Sequence, residues 1–240
     1  MKRLFLRAAA ALLLLSAVAA CGRRTGAPAP APAAGGDVEA LLRTSAGDIR
    51  LVLDGRTPRH RDNFVKLARE GFFDSLLFHR VIGEFMIQGG DPLSRHAPAG
   101  QPLGEGDAGY TLPAEIVYPA LAHTRGALAA AREGDDANPR RCSSSSQFYI
   151  VWGRTMDDAQ LDRVQEYILA ATHGAAAIPD SLRALYRTVG GTPHLDGQYT
   201  VFGRVTEGLE VVEAIQRAAT DAMARPLDDI RILGVEIIEN

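Results

Sequence analysis

Phe78-His79-Arg80-Val81-Ile82-Gly83-Glu84-Phe85-Met86-Ile87-Gln88-Gly89-Gly90-Asp91 is the stretch whose reading decides the fold. Two short apolar runs, Phe78 to Ile82 and Phe85 to Ile87, flank a break at Gly83-Glu84. Runs this short and rich in aromatic and branched residues suit strands better than helix. Gln88 falls on the same face of an extended chain as Met86. If the two runs fold back antiparallel, Arg80 comes next to Gln88. A cationic fork and an amide then stand beside a phenylalanine and a methionine. The stretch alone also permits a plainer reading, an arginine on an outer sheet face with its apolar neighbours in the core.

Working outward, the chain on either side is mostly short strands. Val38 to Arg43 and Ile49 to Leu53 read as a hairpin around Ser45-Ala46-Gly47-Asp48. Thr57 and Pro58 offer an N-cap and a first helical residue, and Phe64, Leu67, Ala68 and Phe72 recur at helical spacing after them. His60, in the polar first turn, is expected to be solvated. Pro92 to Thr111 reads as a long irregular loop and Glu133 to Ser146 as another. Strands are expected at Pro113 to Val117, Gly126 to Ala131, Gln147 to Trp152, Thr200 to Val205 and Ile230 to Ile238. Gly208, Val212, Ile215 and Ala219 mark a second amphipathic helix. Many short strands with two helices predict a closed barrel capped at both ends.

The segment from about 154 to 193 breaks this pattern. Leu161, Val164, Ile168 and Ala171 repeat at helical spacing. Leu182, Leu185, Tyr186 and Val189 form a second stripe, with Pro179 before it and Gly190-Gly191 after. An inserted helical hairpin is predicted, its apolar stripes packed on each other or on the barrel.

Three blocks in order carry a family resemblance. The first is the opening stretch, with its Phe-His-Arg, two branched residues, a turn, and then Phe-Met-x-Gln-Gly-Gly. The second is Ser146-Gln147-Phe148-Tyr149-Ile150. The third is Leu195-Asp196-Gly197 followed by Val201-Phe202-Gly203-Arg204-Val205. Gly126 to Arg132 matches a fourth block more loosely. Together they resemble the cyclophilins, peptidyl-prolyl cis-trans isomerases, over roughly residues 38 to 240 apart from the insertion. The resemblance implies a mainly β fold: a closed eight-stranded antiparallel barrel capped by two helices. It implies rotation about peptide bonds preceding proline, with Arg80 as the donor and Gln88 holding its fork. Phe85, Met86, Tyr149 and Leu195 would form the proline slot, and Gln147 would line the groove. The backbone of Ala131 and Arg132 would hold the substrate chain, and His194 and Tyr199 would complete the walls. Four residues depart from the family's pattern: Tyr149 stands for phenylalanine, Tyr199 for a common histidine, His194 for a tryptophan in many members, and Arg132 for asparagine. A peptide-binding or chaperone module with little isomerase activity is the alternative on the same barrel.

The amino terminus has a different logic. Lys2, Arg3 and Arg7 precede an apolar run, Ala8 to Leu15, and then Val18-Ala19-Ala20-Cys21. A basic start, a short apolar core and small residues before a cut describe a secretory signal over residues 1–20. The apolar core is too short to span a bilayer. A cysteine after Val-Ala-Ala resembles a bacterial lipobox, which implies acylation of Cys21. A signal cut beside an unrelated cysteine is the other reading. Residues 21–36, mostly Ala, Pro and Gly, read as a flexible tether, and 37–240 as the domain. By analogy with bacterial lipoprotein sorting, Gly22 rather than Asp after the cysteine implies the outer membrane, on its periplasmic face. Partners are then proline-containing polypeptide clients and a membrane reached through a lipid anchor. A monomer is expected.

Removing residues 1–20 takes the formal charge from −3 to −6, because the segment carries three basic residues and no acidic one. An acidic domain has no broad attraction for nucleic acid. Cys21 and Cys142 are the two cysteines. With Cys21 acylated, Cys142 is expected to be an inert thiol outside any disulfide, and no cysteine-cluster metal site can form. Rotation about an amide breaks no covalent bond, so no metal or cofactor is expected.

Overall fold

The computed structural model describes residues 35–239. The signal segment, Cys21 and the tether up to residue 34 lie outside the described residues. In chain order the elements are β1 (Val38–Thr44), β2 (Gly47–Leu53), α1 (Pro58–Arg69), β3 (Arg80–Ile82), β4 (Met86–Gly89), β5 (Thr111–Leu112), β6 (Ala127–Ala130), β7 (Ser143–Ser144), β8 (Phe148–Val151), α2 (Asp158–Ala171), α3 (Asp180–Thr188), β9 (Val201–Glu207), α4 (Leu209–Gln216) and β10 (Ile232–Ile238).

Eight strands form one sheet in the order β10-β1-β2-β9-β6-β8-β4-β3, while β5 and β7 pair separately. Every pairing is antiparallel. Register shifts at Arg43/Thr44, Arg50/Leu51 and Leu128/Ala129 add local twist and curl the sheet strongly. The end strands β3 and β10 do not ladder with each other. The segments just before them do meet: Leu77 bridges Arg231. The Ser75 and Phe78 amides donate to the carbonyls of Ile232 and Ile230 at 2.8 and 2.9 Å, and the Ile232 amide donates to the Leu76 carbonyl at 2.7 Å. The barrel expected from the sequence is therefore a curled sheet whose edges join at this narrow seam.

Strand alternation divides the side chains between two apolar clusters. Leu42, Ile49, Leu51, Ile87, Leu128, Phe148 and Ile150 point inward, where Phe64 and Leu67 of α1 and Val212 and Ile215 of α4 close the ends. The Phe64 ring lies 4.9 Å from Phe73 and 5.6 Å from Phe148 between centroids. Burying such rings contributes about 1.5–3 kcal/mol each. The alternate residues Met86, Ala129, Tyr149 and Val151 point outward and are buried under a second layer that includes Phe85, Leu195 and Tyr199.

The insertion is the helical pair expected. Asp157 and Gln160 form a reciprocal capping box on α2, at 2.7 and 2.9 Å. Leu161 and Ile168 of α2 pack with Leu182 and Tyr186 of α3, and with Met156, Ile178 and Ala122. Leu185 and Val189 instead face out, 42% and 39% exposed. On a helix of nine residues, only the Leu182 and Tyr186 pair turns inward. The two ends of the insertion meet, since Arg154 and Gly191 exchange backbone hydrogen bonds at 3.4 and 3.1 Å.

Five local expectations are corrected. His60 is 2% exposed. The Thr57 side chain does not cap α1. Instead the Glu115 carboxylate accepts the Arg59 and His60 amides at 3.1 and 3.0 Å and lies 2.7 Å from His60 Nδ1. A carboxylate at a helix N-terminus satisfies orphan amides and suits the helix dipole. Residues 113–117 form no strand; the pairing falls one step earlier, Thr111–Leu112 against Ser143–Ser144. The second helix stops at Gln216, before Ala219. Cys142 is buried and disulfide-bonded, so it is not the unpaired thiol expected.

Candidate active site

The β3–β4 hairpin pairs Arg80 with Gln88, Val81 with Ile87 and Ile82 with Met86. Glu84 turns the corner in the left-handed region at φ 58°, and its amide donates to the Gln216 side chain of α4 at 2.9 Å. The register puts the Arg80 guanidinium 3.0 Å from Gln88 Oε1. Gln88 Nε2 donates to Gln147 Oε1 at 2.9 Å, and Gln147 Nε2 donates to the carbonyls of Gly104 and Gly106, both at 2.7 Å. Every amide in this relay is oriented by its neighbour, and the relay fixes the position of the arginine fork. Arg80 forms no salt bridge among the described residues. Partial burial lowers its pKa from the ordinary arginine value, but a guanidinium stays charged.

The fork borders a cavity of about 330 Å³. Phe85, Met86, Tyr149, Leu195 and Tyr199 supply its apolar walls, and Gln88, Ala131 and Arg132 its rim. A larger cavity, about 640 Å³, adjoins it and includes Gln147 in its lining. The two share Gln88, Gly104, Glu105, Ala131 and Arg132. Of the eleven site residues expected within the domain, nine line the smaller cavity and Gln147 the larger. His194 stands behind Phe85, ring centroids 5.7 Å apart, and supports that wall from outside. The Ala131 amide donates to the Gln147 carbonyl at 3.0 Å, and the Ala131 carbonyl accepts from Ser144 at 2.8 Å. Its backbone is thus already engaged by the fold.

The departures from the family pattern have local explanations. Arg132 lies over the Tyr199 ring at 4.2 Å, a cation–π contact. Its Nε donates to the Gln198 carbonyl at 3.1 Å, and it pairs with Asp135 at 2.6 Å. The extra hydroxyl of Tyr149 is buried but not orphaned: it meets His123 Nε2 at 3.0 Å. Burial pushes the Tyr149 phenol well above its ordinary pKa, so it stays protonated.

The sequence reading missed His79, His123, Asp196 and the loop carbonyls of Gly104 and Gly106. His79 also borders the smaller cavity. Burial holds it near pKa 4, so its ring is neutral at neutral pH. A histidine beside Arg80 in the opening stretch was a usable signal. His123 carried none, because its partners lie 26 and 73 residues away.

Residues 40–237 match the family of cyclophilin type peptidyl-prolyl cis-trans isomerases/CLD. The chain belongs to this family and is a peptidyl-prolyl cis-trans isomerase of the cyclophilin class. A Staphylococcus saprophyticus protein, provisionally named a peptidyl-prolyl cis-trans isomerase, is 33% identical over 85% of this chain and 94% of its own length. A Staphylococcus aureus protein with the same provisional name is 30% identical over 85% of this chain and 93% of its own length. A Cryptosporidium parvum cyclophilin type isomerase has a similar fold, with a TM-score of 0.61 and 24% identity over 85% of this chain and 99% of its own. The same parasite enzyme has been solved in the presence of the dipeptide Ala-Pro, and that structure gives a TM-score of 0.58.

Proposed function

We propose that this enzyme isomerises Xaa-Pro bonds in exported polypeptides, with Arg80 as the donor and the 330 Å³ cavity as the proline slot. The observation that carries the reading is a cationic fork with no salt bridge among the described residues, oriented by Gln88 over apolar walls. The planar amide resists rotation with a barrier of roughly 18–20 kcal/mol. As it twists, the proline nitrogen loses conjugation and its lone pair becomes basic. A fixed donor at that nitrogen binds the twisted form better than either planar isomer, which is what lowers the barrier. Phe85, Met86, Tyr149 and Leu195 hold the ring while the preceding carbonyl turns. Gln88 and Gln147 keep the fork still.

A protease-coupled assay on an Ala-Pro peptide tests this reading. Acceleration of cis-to-trans conversion is expected. A protein that suppresses aggregation of an unfolded client without that acceleration would be a binding module instead.

Lipidation would use the Cys21 thiol, which a disulfide to Cys142, the chain's other cysteine, would otherwise occupy; an acylated Cys21 would place the domain at a bacterial envelope membrane. Sixteen residues, 21–36, would separate it from the bilayer, a reach of about 50 Å if extended as a proline-rich chain. Arg61 NH1 grips the end of this segment, donating to the carbonyls of Gly35 and Gly36 at 2.6 and 2.8 Å. Cys21→Ala is expected to move the protein from the membrane fraction to the soluble fraction. Mass spectrometry that finds Cys21 without acyl chains, or in a disulfide, would overturn the anchor.

A further inference from the structure

The geometry points to a role for the inserted helical pair inside the isomerase site: through Tyr186, Asp196 and His123 it positions Tyr149, the floor of the slot. This inference rests on the isomerase reading of that slot. Asp196 is fully buried. Its Oδ1 accepts the His123 main-chain amide at 2.8 Å and lies 2.9 Å from His123 Nδ1. Its Oδ2 accepts the Tyr186 hydroxyl at 2.6 Å. A carboxylate can only accept, so His123 Nδ1 carries the proton. In a neutral ring Nε2 is then the acceptor, and the Tyr149 hydroxyl 3.0 Å away donates to it. The chain of donors thus runs in two arms onto one carboxylate, Tyr149 to His123 to Asp196 and Tyr186 to Asp196.

Two features tie these arms to the slot. Asp196 follows Leu195, a slot wall, so one carboxylate anchors wall and floor together. The His123 ring also lies parallel to Tyr149 and edge-on to Tyr199, at 6.1 and 6.4 Å. Tyr186 comes from α3 and is wholly buried in the insertion's own cluster. The insertion therefore supplies a bond that the barrel lacks. His123, Asp196 and Tyr186 line neither cavity of the site; they are positioning residues.

Tyr186→Phe removes only a hydroxyl and keeps the ring. It is expected to lower kcat/KM about three- to tenfold, chiefly through KM, because the floor loosens while the Arg80 donor remains. Tyr149→Phe cuts the same connection at its other end. Combining the two is expected to cost no more than Tyr149→Phe alone. Nitrogen-15 NMR of the His123 ring gives a readout independent of activity. It is expected to show the Nδ1-protonated tautomer, with the Nε2 resonance shifted in Tyr149→Phe. An active wild type with multiplicative losses in the double variant, an unchanged KM in Tyr186→Phe, or the opposite tautomer would overturn the inference alone. A wild type without isomerase activity would overturn the isomerase reading, and this inference with it, even if NMR found the same tautomer.

Discussion

Arg80→Ala is expected to lower kcat/KM for an Ala-Pro peptide by about 10²–10³-fold, the loss of roughly 2.7–4 kcal/mol that one preorganised donor contributes at developing charge. The side chain sits at the rim of the cavity, on a three-residue strand at the end of the sheet order. Its hydrogen bond is to Gln88 Oε1. Gln88 keeps its second bond, to Gln147, and it lines the cavity that the shortened side chain would open to water. The stability cost should therefore stay near about 1 kcal/mol. Circular dichroism and the melting temperature should change little while turnover collapses. Arg80→Lys separates charge from shape, because an ammonium keeps the positive charge but lacks the planar fork that Gln88 orients. It is expected to recover only part of the rate. An Arg80→Ala protein that folds normally and turns over at nearly the wild-type rate would remove Arg80 from the mechanism.

The same hairpin shows why some of the site was legible in the sequence. Strand spacing is rigid, so a turn at Gly83-Glu84 that pairs Ile82 with Met86 must also pair Arg80 with Gln88. Period-two alternation likewise separates Phe148 and Ile150 in the core from Tyr149 and Val151 on the outer face. Long-range contacts left no such trace. The seam joining residues 75–78 to 230–232 is made by backbone groups, which any side chains would allow. The Glu115 carboxylate reaches α1 across 55 residues, and its effect is to bury a histidine that local polarity marks as solvated. His123 and Asp196 meet only because the chain leaving the insertion returns beside residues 123 and 124, where the Thr192 amide donates to the His123 carbonyl at 2.8 Å. Helix period identified the insertion itself, but not which side of a nine-residue helix would face inward.

The crossing where the insertion leaves the sheet should be the least tolerant point of that architecture. Gly153 has φ +63°, and a Cβ placed on it would lie 2.3 Å from the Gly191 carbonyl carbon and oxygen. Neither neighbour is a flexible side-chain tip, so backbone must move. The Gly153 and Trp152 amides both donate to the Phe85 carbonyl, at 3.0 and 2.9 Å. A shift at Gly153 is thereby passed to a wall of the slot. Gly153→Ala is expected to destabilise the protein by about 3–5 kcal/mol, at the upper end for single substitutions. In a domain of this size that lowers Tm by about 6–20 °C. The folded fraction should also show a raised KM for prolyl peptides. Two companion variants isolate the cause. Gly100 has φ +76°, and a methyl group placed on it would find nothing within 4 Å. Gly100→Ala should therefore cost only the left-handed backbone, about 1–2 kcal/mol. Gly134 has neither constraint, and Gly134→Ala should melt with the wild type. If Gly153→Ala melts no lower than Gly100→Ala, backbone strain alone accounts for its cost. The Gly153–Gly191 contact would then not hold the insertion against the sheet.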